Sequence, residues 1–75
     1  MSYSLLADAG EALYGPHWQT SLAAGLGISS RTVRRWVAGA EPPGGVWADI
    51  LLIAAERQSE LAAIVVRLSH EKGRK

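Results

Sequence analysis

The sequence predicts an all-α fold, a bundle of four to five helices in one small domain, on three observations. Apolar residues recur at spacings of three and four along most of the chain, the signature of helices with one buried face. No segment alternates with period two for long enough to make a strand. Glycine and proline cluster at a few places, near residues 15–16, 25–27, 39 and 42–45, and divide the helical stretches. The chain has 75 residues and no cysteine, so neither disulfides nor zinc thiolates can staple it. A domain this small is only marginally stable alone. Its 48% hydrophobic content is enough to fill a core and leave apolar surface over, which makes oligomerisation the expected source of extra stability.

The elements follow in order. A first helix is predicted from about Ser4, a suitable N-cap, through Leu5, Leu6, Ala9, Ala12 and Leu13, ending before Gly15-Pro16. Asp8 and Glu11 lie three apart on its polar side; they read as a solvated face rather than an acid/base pair, since nothing nearby in sequence assists them. A short second helix is predicted from Trp18 to Ala24, broken by Gly25 and Gly27. Ser29 caps a third helix that continues through Trp36 and Val37 until Gly39 offers a left-handed stop. The segment from Glu41 to Gly45 reads as a non-helical connection. Residues 46–70 contain no glycine or proline and are predicted to form one long helix, or two with a joint near Gln58-Ser59, ahead of a frayed basic tail at 71–75.

Charge is distributed unevenly. In the first 56 residues the only lysine or arginine side chains are Arg31, Arg34 and Arg35, all in the third helix. Solvated helix faces usually mix signs, and this one does not, so the pattern points to an anionic partner. Around it, residues 19–38 have the organisation of a helix-turn-helix. Ala23 is small where two helices would cross, and Gly27 sits where the turn requires positive φ. Leu22, Leu26, Ile28, Val33 and Trp36 are spaced to face inward.

Gln19, Ala23, Gly27, Val33, Trp36 and Gly39 stand at the offsets of a known motif. The stretch resembles the helix-turn-helix of phage lambda-type repressors and Cro proteins, the XRE-like class, over about residues 3 to 56. Gly25 departs from that pattern, which favours a polar helix former there. The resemblance implies a lambda repressor-like bundle in which the recognition helix, residues 29–38, enters the major groove of double-stranded DNA. By position it implies that Ser30, Arg31 and Arg35 reach base edges. Arginine's planar fork suits the O6 and N7 acceptors of guanine. Gln19, Thr32 and Arg34 would contact phosphates, which position the protein without reading sequence. Trp36 belongs to the core. Trp18 either anchors the second helix or stacks near the DNA backbone, with packing favoured. His17 has no second ligand at metal spacing, so no metal is expected.

In the last segment, Trp47, Leu51, Ala54, Gln58, Leu61, Val65 and Leu68 form a heptad seam interrupted by Gln58. A second apolar line holds Val46, Ile50, Ile53 and Ile64. The first half is expected to close the core. The second, with Leu61, Ile64, Val65 and Leu68, is expected to form a homodimer interface, in preference to folding back on its own domain. A dimer would suit a palindromic operator.

A single domain over residues 1–70 is therefore expected, most simply a repressor of phage or mobile-element type, for which autoregulation would fit. In size and motif content it resembles the short regulators of anti-CRISPR operons. The alternatives are an antitoxin or other protein-interaction module using its last helix, and an excisionase-like architectural protein. No catalytic constellation, cofactor motif or small-molecule site is apparent, so no enzyme activity is expected. The longest apolar stretch, Ile50 to Ala55, is too short to span a bilayer and no signal peptide is evident, which leads to a cytoplasmic expectation.

Overall fold

The computed structural model describes residues 2–73, with side chains from residue 5 onward. Its elements are four helices: α1 (Ser2–Tyr14), α2 (Trp18–Leu26), α3 (Ser30–Val37) and α4 (Gly44–Lys72). The all-α expectation holds, and several boundaries move. The first helix starts at Ser2 rather than near Ser4, so Ser4 is not its cap. Gly25 does not break α2, which runs on to Leu26. Gly44 and Gly45, expected in a loop, form the first turn of α4 behind Pro43. Pro43 closes that turn by accepting a hydrogen bond from Val46 N–H at 3.0 Å. The last helix is one element with no joint at Gln58-Ser59, and it continues through Glu71 and Lys72, where fraying is expected from the sequence. Arg74 and Lys75, the rest of that tail, lie outside the described residues.

Two helix ends are set by glycine. Gly27 has φ 73°, and the N–H groups of Gly27 and Ile28 bond the carbonyls of Ala24 and Ala23 at 3.2 and 3.0 Å. Gly39, with φ 127°, does the same for α3: its own N–H bonds Trp36 and that of Ala40 bonds Arg35. Both are Schellman arrangements, in which a backbone conformation that L-residues rarely adopt lets orphan carbonyls be paired.

The core is built from Leu6, Trp18, Leu22, Ala23, Val33, Trp36 and Ile50, with Leu6, Leu22 and Val33 completely enclosed. Every helix contributes, and α2 is central, packing against α1, α3 and α4. Among the described residues α3 packs on α1 and α2 but not on α4. Of the residues expected to face inward, Leu22, Val33 and Trp36 do so and Leu26 is half-buried. Ile28 is instead exposed, because the turn that Gly27 makes directs it outward. Trp18 is buried at the start of α2, resolving its two readings in favour of packing.

Two contacts tie α1 to the rest. The Trp18 indole lies directly against Gly10, where a Cβ would collide with the ring. At the far end of α1, the Arg57 guanidinium donates through Nη1 to the Leu13 carbonyl at 2.9 Å and sits 5.6 Å from the Tyr14 ring centroid. Arg57 thereby caps the C-terminal end of α1, where both the orphan carbonyl and the helix dipole favour a cation. Its ion pair with Glu60, at 3.8 Å and largely exposed, contributes little.

Beyond Arg57, α4 leaves the domain. Residues 58–73 are all exposed, and the molecule measures 52 × 23 × 22 Å because of this projection. The second half of α4 therefore does not fold back on its own core. No helix among the described residues is long and apolar enough to cross a membrane.

The Gly10–Trp18 contact generates a prediction. Alanine favours helix over glycine by about 1 kcal/mol, but overpacking a core typically costs about 1–3 kcal/mol. Gly10→Ala should therefore lower stability despite its better helix propensity. Chemical denaturation followed by circular dichroism is the check, and an unchanged or raised midpoint would contradict the contact.

Candidate nucleic-acid interface

The sequence S-R-T-V-R-R-W-V sorts its side chains by helical rotation. At about 100° per residue, Val33 and Trp36 share one side of α3, and both are buried. Arg31 lies opposite them, flanked by Arg34 and Arg35, and all three are exposed. The arginines therefore occupy a single arc of about 100°, with Arg31 at its middle. No acidic residue lies on α3. Ser30 and Thr32 border the arc on its two sides and are half-buried.

Local hydrogen bonds fix the start of this helix. Ser29, in extended conformation, caps it: its Oγ accepts from Thr32 N–H at 3.3 Å and lies 3.1 Å from Thr32 Oγ1. Arg34 Nη1 donates to Ser30 Oγ at 3.1 Å. Two of the residues singled out in the sequence are thus engaged within the helix. Thr32 belongs to the cap, and Ser30 steadies Arg34. Arg31 and Arg35 extend from the open face of the same helix.

Gln19 lies in the first turn of α2, half-buried, beside a shallow hollow lined by Pro16, His17, Gln19 and Thr20. His17 precedes α2 but makes no side-chain cap, so the first-turn amides of α2 have no side-chain acceptor from it. These N–H groups, carrying the positive end of the helix dipole, form a surface suited to an anion. No group of three or more potential metal ligands occurs among the described residues.

The four residues expected at a second interface lie elsewhere. Leu61, Ile64, Val65 and Leu68 are 54%, 41%, 58% and 60% exposed on the projecting half of α4. Val66 and Leu51 are exposed as well. Arg57 has a role that no local pattern signals, since it joins α4 to α1 by a contact 44 residues apart. Gly25 gains its reason from the same neighbourhood: its missing side chain leaves room for the Tyr14 hydroxyl.

Against known proteins, the chain matches no family model, no curated protein and no solved structure.

The cap yields a measurable expectation. Removing an N-cap serine costs about 0.5–2 kcal/mol, so Ser29→Ala should lower the unfolding midpoint while Ser29→Asp, which keeps an acceptor, should largely preserve it. Equal losses in both variants would show that the cap is not what orders α3.

Proposed function

We propose that this protein is a sequence-specific DNA-binding regulator that acts as a dimer and represses by occupying a palindromic operator. The observation that carries the reading is the exposed arginine arc of α3, on a short helix held from behind by Val33 and Trp36. A helix presented in this way, with an open first turn on the preceding helix, suits the docking of a helix-turn-helix in the major groove. In that pose Arg31 and Arg35 read base edges, with guanine their natural target, and Ser30 lies alongside. Arg34, held by Ser30, and Gln19 and Thr32 at the margins contact phosphates.

Dimerisation supplies what one short helix lacks. A single recognition helix offers few base contacts, whereas two on a two-fold axis engage both half-sites. The apolar residues Leu61, Ile64, Val65 and Leu68 support this part of the reading, since they are exposed together on one helix. The same surface favours a second reading, a protein-interaction module of the antitoxin kind. Architectural binding of the excisionase type is the third, and would show DNA bending without a palindromic preference.

Selection of bound sites from random DNA separates these readings. The repressor reading expects an inverted repeat, and an absence of enriched sequence would overturn it. Arg31→Ala should relax preference at one position of each half-site, by about 1–3 kcal/mol of discrimination. Arg34→Ala should weaken all sequences alike and reduce the salt slope by about 0.9 for each phosphate no longer neutralised. Replacing Leu61 and Val65 together by glutamate should give a monomer of unchanged helix content with greatly reduced operator affinity. Sedimentation showing an unaltered dimer would remove these residues from the interface.

A further inference from the structure

We propose that two copies of the chain pair through the projecting halves of α4 in antiparallel orientation, about a two-fold axis at Ile64. The inference deepens the dimeric reading above and rests on it for its consequence on DNA. It starts from a continuity along α4. Val46, Ile50, Ile53 and Arg57 follow one another at spacings of three and four, and this line is the one turned toward α1 and α2. The same line continues as Leu61, Ile64 and Leu68. The face that lies against the domain in the first half of α4 is thus the face left exposed in the second.

That continuity decides the orientation. In a parallel, in-register pair, the exposed faces could meet only if both domains occupied the same space between the two helices. An antiparallel pair instead ends each α4 close to where the other domain begins, at Arg57, and the two domains lie at opposite ends of the paired helices. Charge favours the same orientation. Glu60 and Arg67 lie seven residues apart on one flank of the apolar face, and Val65 and Lys72 lie on the other. A parallel pair sets opposite flanks together, which places Arg67 near the partner subunit's Lys72, a like charge. An antiparallel pair sets like flanks together, which places Glu60 near the partner subunit's Arg67 and does so twice. Flanking charges of this kind select partner and orientation in paired helices.

The register follows from the side chains. With the axis at Ile64, that residue meets its own copy, and Leu61 falls within one residue of the partner subunit's Leu68. Three apolar layers and one opposite-charge pair, made twice, therefore coincide in one register.

This arrangement also leaves α3 accessible, since α3 packs on α1 and α2 and not on α4 among the described residues. At about 1.5 Å per residue, Ile50 of one copy and of the other would be roughly 40 Å apart along the paired helices. The separation is on the scale of the ~34 Å between successive major-groove faces of DNA.

The chain has no cysteine, so introduced ones report cleanly. Leu61 and Leu68 are both exposed, and a cysteine at either is compatible with the fold. The full-length Leu61→Cys and Leu68→Cys proteins are mixed and oxidised, with sedimentation of the unmodified protein alongside. The expected result is a dimer, a disulfide joining the two different variants, and little disulfide between two copies of Leu61→Cys. A dominant disulfide between two copies of Leu61→Cys would establish a parallel pair and overturn the proposal. So would a dimer that forms no mixed disulfide, or a monomer at micromolar concentration. Site selection on the unmodified protein distinguishes the two levels of the reading. The mixed disulfide without a selected palindrome removes the DNA function and keeps the pairing, whereas a palindrome without the mixed disulfide does the reverse.

Discussion

The close approach of Trp18 to Gly10 is the constraint on which the rest of the architecture depends. An indole ring occupies the space that a side chain on α1 would fill, so α1 and α2 meet with bare backbone at one side of the contact. The ring stands at the first residue of α2, and it fixes where that helix begins as well as how near it lies to α1. The position of α3 follows from that of α2. Gly27 turns the chain within three residues, and Val33 and Trp36 then join the core cluster that Leu6, Trp18, Leu22 and Ala23 form. The arginine arc is consequently aimed by contacts on its opposite side, which rest in turn on the α1–α2 packing around Trp18 and Gly10.

A core of seven buried apolar residues is thin for a domain with four helices. Burying a large apolar side chain contributes about 1.5–3 kcal/mol, and ordering each residue costs about 1–2 kcal/mol in backbone entropy alone. Under such conditions the ends of helices matter more than in a large protein. The two Schellman turns, the Ser29 cap and the Arg57 contact on Leu13 each satisfy groups that would otherwise weaken a short helix. None of them adds appreciably to the apolar core. They supply local order to helices of eight, nine and thirteen residues, lengths at which an isolated helix is marginal in water.

The parts of this design that are legible in the sequence are those with local causes. Gly27, Ser29 and Gly39 act on their immediate neighbours, so spacing and residue type reveal their roles. Val33 and Trp36 are legible for a related reason: rotation of the helix puts them and the arginines on opposite sides. Gly25 misleads because helix propensity disfavours it, whereas α2 carries it and the Tyr14 hydroxyl, brought from another helix, lies where its side chain would start. Gly44 and Gly45 mislead similarly, since the first turn of a helix needs few intrahelical donors and tolerates poor formers behind a proline. Ile28 has the right spacing for the core, but a left-handed residue precedes it, and periodicity does not carry across such a break. Arg57 is invisible to any local rule, because its partner lies 44 residues away. The arginine arc of the candidate site is legible as a cluster of charge, while the tether of Arg34 to Ser30 needs the folded helix to be seen.

The division of α4 at Arg57 has a consequence for how such a small chain can evolve or be engineered. Up to that residue the helix belongs to the core, through Ile50 and the half-buried Val46, Trp47, Ile53 and Ala54. Past it, every side chain described is exposed, so changes there carry little cost to the folded monomer. The two halves nevertheless share one apolar line and one rigid backbone. A rotation of the helix that improved packing in the first half would turn the exposed line in the second by the same angle. Stability of the domain and the direction in which a partner is met are therefore mechanically linked. Arg57 stands at the junction, anchoring the helix to the end of α1 at the last point where the domain can hold it. The angle at which the outer half of α4 leaves the domain is accordingly set by the packing of its first half around Ile50, and by the guanidinium that holds the Leu13 carbonyl beside the tyrosine ring at the junction.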